Sequence, residues 1–236
     1  MDNPLKLIIG IDYGTTFTGN FALVESSPMA NPLLGVSYVV SNKSEIEDVN
    51  IVQTWPGPSR EMDNTWKTPS RIAYGRENDL NDNAWGYQVT PGMKAYSWTK
   101  LLLDKKAAKS KFDDPFLSQI AGKGIMELPY GRNAQEVCRN FLTEVKKFVF
   151  ARIEKELGAD FVNITPIECW LTVPAIWSDE AKYATRSAAI GAGFAAREMD
   201  SINIIPEPEA AAISALKEDT SASTVNPIYV CIRSVQ

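Results

Sequence analysis

Between Asn133 and Lys217 the hydrophobic period of this sequence switches repeatedly, and that alternation constrains the fold more than any other feature. Ala134, Val137, Cys138, Phe141, Val145, Phe148, Val149, Ile153 and Leu157 recur at steps of three and four, which places them on one stripe of a helix. Asn133 and Glu136 have the spacing of a capping box, and Gly158 suits the left-handed conformation that ends a helix. In the next segment Ile167, Cys169, Leu171 and Val173 alternate with other residues, the period of a strand. Ser178 followed by Asp179 and Glu180 supplies a cap and first-turn acids for a helix running to about Ala192. "SINII" is a further strand. Glu207-Pro208 opens a last helix to about Lys217, with proline where its missing N–H matters least. Helix, strand, helix, strand, helix in that order implies parallel strands joined by right-handed crossovers.

The beginning of the chain reads differently. Leu5, Leu7, Ile9 and Ile11 form an alternating strand, Phe17–Val24 a return strand, and Val36–Val40 a third, an antiparallel meander. The expected fold class is therefore α/β, with a mixed sheet of three antiparallel strands followed by βαβ units. From about residue 42 to 132 the chain is rich in Pro, Gly, Asn, Asp and Trp. This stretch reads as a small inserted subdomain, with a short strand at "TPSRIAYG" and Trp85, Tyr87, Tyr96 and Trp98 as anchors of a subsidiary core.

Composition narrows the chemistry. The 236 residues contain no histidine, so Ser-His-Asp and Cys-His nucleophiles and His-ligated metals have no place within this chain. Cys138, Cys169 and Cys231 stand apart in apolar stretches, matching no zinc spacing and no disulfide framework; they read as buried thiols. A net charge of −5 without a long basic block argues against nucleic acid as a partner. The run Lys105, Lys106, Lys109, Lys111 reads as a solvated helix face. No apolar run approaches membrane-spanning length and no secretory signal precedes the first strand. The expectation is a cytoplasmic protein with no membrane partner.

Two phosphate-binding patterns can be dismissed. No GxxxxGK[ST] loop occurs, and "GAGFAA" at Gly191–Ala196 closes a helix instead of opening one. The useful groups are carboxylates. Asp12 stands at the C-terminal end of the first strand and Glu207 just after "SINII", where open α/β sheets gather ligands. Were those strands neighbours, both acids would face one cleft. Gly14 would then admit phosphate oxygens to backbone N–H groups, Thr15 and Thr16 would add hydroxyls, Asp12 would hold Mg²⁺ through water, and Glu207 would orient an attacking water. On spacing alone, hairpin-turn chemistry for Asp12–Thr16 and a plain helix-start acid at Glu207 account for the same residues.

Four stretches in order carry a family resemblance. "IGIDYGTTFTG", "KTPSRIAY", "LTVPAIWSDEAKYATRSAAIGAGF" and "INIIPEPEAAAISAL" resemble the first phosphate loop, the Thr-Pro-Ser strand, the Val-Pro-Ala strand and helix, and the connecting glutamate segment of the seventy-kilodalton heat-shock chaperones. These belong to the actin, sugar-kinase and chaperone ATPase superfamily. Trp177 and "AWGYQV" resemble its divergent, non-classical branch. The likeness extends from about Lys6 to Val230. It implies the first lobe of an actin-like (ribonuclease H-like) ATPase domain that binds ATP/ADP and Mg²⁺, with protein clients or co-chaperones as partners. By the resemblance Asp12, Thr15 and Glu207 are catalytic, Asp12 being the metal-shell carboxylate. Gly14, Thr15, Thr16 and Phe17 bind nucleotide, and Pro174 relays nucleotide state.

Two departures accompany the likeness. Where the classical family has a lysine beside the γ-phosphate, this chain has Gly86, with Lys94 and Lys100 as candidate substitutes. The second loop of the form Asp-x-Gly-Gly-Gly-Thr does not follow "NPIYVCIRSVQ". The expected organisation is a first lobe over 1–217, including the insertion at about 42–132, then a linker and an orphan strand over 218–236, with weak or absent ATP hydrolysis by the chain alone. A non-catalytic protein-interaction module is the alternative reading, and a sugar or acid kinase of the same superfold a minor one.

Overall fold

The computed structural model describes residues 5–14, 33–41, 49–58, 65–104 and 126–210. Its central sheet contains β1 (Leu7–Tyr13), β2 (Leu33–Val40), β3 (Asn50–Ile51), β4 (Lys67–Pro69), β8 (Ile167–Val173) and β9 (Ser201–Pro206). The strand order is β3-β2-β1-β8-β9, with β4 pairing a further part of β2. A smaller sheet joins β5 (Arg71–Ala73), β6 (Ala84–Trp85) and β7 (Tyr96–Ser97) in the order β6-β5-β7. The helices are α1 (Ala134–Leu157), α2 (Ala159–Ile164) and α3 (Asp179–Gly191).

The sheet is mixed, and the reason is visible in its connections. β2 runs antiparallel to β1, whereas β8 and β9 run parallel to it and to each other. The crossover from β8 to β9 carries α3, as parallel neighbours require. An α/β fold with antiparallel and parallel parts therefore stands. β1 pairs over its full length with β2, from Leu7 opposite Val40 to Tyr13 opposite Leu34, and β8 takes its other edge from Leu7 to Ile11. The expected return strand Phe17–Val24 lies outside the described residues.

β1 is buried at every position, and its pleat separates two environments. Leu7, Ile9, Ile11 and Tyr13 face the main core with Val137, Phe141, Leu142, Val145 and Val149 of α1. Ile8 packs on the opposite face against Val39 and Trp170. α1 begins with the expected capping box, Asn133 accepting from the Glu136 backbone N–H at 2.9 Å and Glu136 accepting from that of Asn133 at 2.9 Å. It ends at Gly158, whose φ is +92°. The buried arc is wider than a single stripe, including Leu142 and Phe150, because α1 packs on the sheet, on α3 and on the turn at Thr99–Leu103. Ser178 caps α3 through the Ala181 N–H, and Gly191 ends it, so "GAGFAA" is a helix terminus.

The aromatic residues of the 42–132 stretch do not form a core of their own. Trp55, Tyr74, Trp85 and Tyr96 belong to the same buried cluster as β1 and α1, with Trp85 meeting Phe141 and Phe148 edge-on. Trp98 sits apart with Leu101. "KTPSRIA" is two strands: residues 67–69 join the large sheet through β2 and residues 71–73 join the small one. Cys138 and Cys169 are buried, the Cys169 thiol donating to the Phe194 carbonyl at 3.6 Å. Cys231, the lysine run at 105–111, the expected continuation of the last helix beyond Ala210 and the stretch 218–236 lie outside the described residues. No helix among the described residues is long and apolar enough to cross a membrane.

Candidate functional site

β1, β8 and β9 run parallel, so their C-terminal ends open on the same side of the sheet. Asp12 is the penultimate residue of β1 and Glu207 follows β9. The two strands are not neighbours, as the sequence reading required; β8 lies between them. The acids nevertheless share a third group. The Lys100 ammonium is fully buried, and both Glu207 and Asp12 favour its charged form, Glu207 more strongly. Asp12 and Glu207 thus both bear electrostatically on Lys100, each from the C-terminal end of a parallel strand.

Lys100 is delivered by the 3₁₀ turn Thr99–Leu103, which follows Trp98 held at φ +63°. Its Nζ donates to the carbonyl oxygens of Tyr13 and Thr172, the latter at 3.1 Å. The ammonium also lies 4.6 Å from the centre of the Tyr13 ring and 5.2 Å from that of Trp177, positions at which ring quadrupoles attract a cation. Burial pushes its pKa down to about 8, against the pull of the two carboxylates. Lys100 is therefore a pin between the ends of β1 and β8. Beside it, Tyr13, Gly14, Ser70, Trp98, Thr99, Lys100 and Leu101 line a shallow recess with no room for a water molecule. The Ser70 Oγ in this lining has no hydrogen-bond partner among the described residues.

Asp12 itself is held from two directions. Thr172 Oγ1 donates to its Oδ1 at 2.9 Å, and Lys67 Nζ donates to its Oδ2 at 2.8 Å. The sheet register explains both. Asp12 is opposite Gly35 of β2, and Gly35 is opposite Lys67 of β4. On the other side, Thr172 is one residue past the Ile11–Leu171 pair. Cross-strand partners share a face, so Lys67, Gly35, Asp12 and Thr172 form one polar row. Gly35 has no side chain, and Lys67 extends over it to the carboxylate.

Sequence reasoning missed Lys67, although the signals were present. It immediately precedes the quoted Thr-Pro-Ser, and Gly35 is an isolated glycine in an apolar strand, a mark of close approach. Of the substitutes that were considered, Lys94 pairs with Glu77 at 3.0 Å in the small-sheet region, and Lys100 is the buried pin.

Gly86 also has a physical explanation. Its φ is +56°, and a β-carbon there would lie 2.3 Å from Thr68 Oγ1. Arg71 fixes this turn by donating to the Gly86 carbonyl at 3.0 Å and to that of Val89 at 2.9 Å. No side chain fits at residue 86 without displacement, so a lysine is excluded there by shape.

Gly14 is described and half-buried at the end of β1, whereas Thr15, Thr16 and Phe17 lie outside the described residues. Direct magnesium coordination at Asp12 would compete with donors already on both carboxylate oxygens, one of them an ammonium, and no group of three or more Cys, Asp or Glu side chains among the described residues converges as metal ligands.

Known proteins resemble this chain over most of its length. Heat shock 70 kDa protein 12A of Mus musculus is 27% identical over 215 residues, and the protein of the same name from Homo sapiens is 26% identical over 215 residues. Each match covers 88% of this chain and 28% of the relative, so the chain spans little more than a quarter of the curated relatives it matches. No protein-family model matches. The similarity supports a distant relationship to seventy-kilodalton heat-shock proteins.

Proposed function

We propose that this chain forms the phosphate-binding first lobe of an actin-like ATPase domain, akin to the divergent heat-shock branch, and binds the triphosphate end of ATP at the C-terminal edge of β1, β8 and β9. One observation carries the reading: Asp12, its carboxylate held by Lys67 and Thr172, stands beside Gly14 where β1, β8 and β9 end in parallel and Glu207 follows β9. Such strand ends are where α/β sheets bind ligands, and a glycine lets phosphate oxygens reach backbone N–H groups. In this reading Thr15, Thr16 and Phe17 complete the loop around the phosphates. Glu207 orients the water that attacks the terminal phosphoryl group. Partners beyond nucleotide are protein clients or co-chaperones, by analogy with the heat-shock relatives.

The described residues supply one wall of a cleft, and ligand sites gain affinity by enclosing most of the ligand. Binding to this chain is accordingly weak, in the millimolar range, about −4 kcal/mol. Two-dimensional amide NMR with ATP tests the proposal. Shifts are expected at Gly14, Thr172 and Glu207, and those at Thr172 and Glu207 are expected to shrink in Gly14→Val, whose side chain blocks approach to the backbone N–H groups. Absence of shifts at these positions, or equal shifts in Gly14→Val, would refute it.

Gly86 favours a second reading in which the same lobe binds protein without hydrolysing ATP. A partner captured with equal affinity in the presence and absence of ATP would support that reading over the first.

A further inference from the structure

The Asp12–Lys67 pair is a built feature of the sheet. It depends on three strands in fixed register and on a glycine at the middle position. The Asp12 side chain is 11% exposed and that of Lys67 29%, so the carboxylate is inside and the ammonium sits at the mouth. An ammonium carries three hydrogens, and one is used on Asp12. No second partner of the Lys67 ammonium stands among the described residues, which leaves the other two for an incoming oxygen.

The charge balance points the same way. Asp12 and Glu207 contribute two negative charges, and Lys67 and Lys100 two positive ones. A divalent ion at Asp12, direct or through its water shell, would place two further positive charges beside the ammonium while the carboxylate already accepts from Lys67 and Thr172. Direct coordination of magnesium would have to displace one of the two donors from the carboxylate, and the ammonium 2.8 Å from Oδ2 repels a hydrated ion brought beside it.

We propose that Lys67 is the resident counter-ion of this site. It takes the place of a divalent metal at Asp12 and presents its ammonium to phosphate oxygens, so that phosphate binding at this mouth does not require a divalent ion. This rests on the nucleotide reading above. The role is read from the row Lys67–Gly35–Asp12–Thr172.

Two measurements on the full chain test it separately from that reading. The first uses Mn²⁺ alone, with paramagnetic broadening of amide signals at Gly14 and Thr172 as the readout. The wild type is expected to show no broadening there, and Lys67→Met is expected to show it. Broadening in the wild type, or none in Lys67→Met, overturns the proposal without touching the nucleotide reading.

The second uses ATP titrations followed by amide shifts, in EDTA and in Mg²⁺. Wild-type affinity is expected to differ less than threefold between the two. Lys67→Met is expected to lose tenfold or more in EDTA and to recover most of it in Mg²⁺. Gly35→Val, which keeps the lysine but blocks its path, is expected to behave like Lys67→Met. Circular dichroism and tryptophan emission establish that each variant is folded. Wild-type binding only in Mg²⁺ overturns this inference alone; no binding in either condition overturns the nucleotide reading and this inference with it.

Discussion

Replacing Gly86 by alanine isolates the close packing between the small sheet and the mouth of the site. The change adds one methyl group and puts two costs on the folded state. At φ +56° an L-residue costs about 1–2 kcal/mol. The new carbon would also stand 2.3 Å from Thr68 Oγ1, more than 1 Å inside ordinary contact. Thr68 is fully buried on β4 between β2 and the turn, so it cannot swing into solvent. Overpacking of this kind costs about 1–3 kcal/mol. The two together predict a loss of about 2–5 kcal/mol for Gly86→Ala.

The partner residue provides a control. Thr68 Oγ1 has no hydrogen-bond partner among the described residues, so Thr68→Ala alone forfeits packing but no bond. In the double variant the overlap is gone and the dihedral cost remains. The coupling energy is then about 1–3 kcal/mol in favour of the pair. Urea unfolding followed by tryptophan fluorescence measures all four corners of the cycle. Gly86→Ala within about 0.5 kcal/mol of wild type, the ordinary range for an unremarkable substitution, would refute the reasoning. A double variant no more stable than Gly86→Ala would refute the assignment of the clash to Thr68. The same geometry predicts that Gly86→Lys destabilises the chain and does not strengthen ATP binding.

Other consequences are open to simpler measurement. Burial lowers Lys100 from 10.5 to about 8, so between those values the unfolded chain holds a proton that the folded chain has released. Stability contributed by this site therefore rises with pH across that window, by up to ~3 kcal/mol, and the cost is fully present below pH 8. Urea titrations of wild type and Lys100→Met should diverge in the wild type's favour as pH increases, and a constant difference would contradict this. Asn133→Ala removes the side-chain half of the α1 capping box and should lower stability by about 1 kcal/mol, with Asn133→Asp retaining most of it; an unchanged unfolding midpoint for the alanine variant would count against the cap. Cys138 is fully buried beside Tyr13 and Thr99, and burial raises its thiol pKa. Mass-spectrometric mapping should find it unreactive towards thiol reagents in native buffer and reactive in urea, and labelling of the native chain would refute its placement.

The parts of the fold readable in the sequence are those whose cause is local. α1, α3, β8 and β9 are set by period, caps and glycines within each segment, and their ends fall within a residue or two of expectation. The identity of β1's partner is a long-range choice. Residues 17–24 and 36–40 are both apolar, and only the assembled sheet shows that Leu33–Val40 lies beside β1. The aromatics of the 42–132 stretch looked like a separate core because of the composition around them. Their rings instead reach α1, a contact that no window of sequence contains. At the site, Asp12 and Glu207 were legible as strand-end acids. Lys67 left only indirect marks, its place before Thr-Pro-Ser and the glycine at 35, because its role arises from a row across β4, β2, β1 and β8. The explanation of Gly86 likewise rests on Thr68, which belongs to a different strand.

The run from Lys67 to Ala73 serves two sheets, with Ser70 as the splice between them. Its first three residues answer to β2 and its last three to β6 and β7. Each step along an extended chain advances about 3.4 Å and reverses the side on which a side chain emerges. Slipping this run by a single position would therefore not weaken the grip of Lys67 on Asp12 by degrees; it would carry the amine to the far side of the sheet and bring a threonine or a tryptophan into its stead. The mouth of the site is in this sense a latch with two settings, and whatever seats the smaller sheet correctly also decides whether the latch is shut.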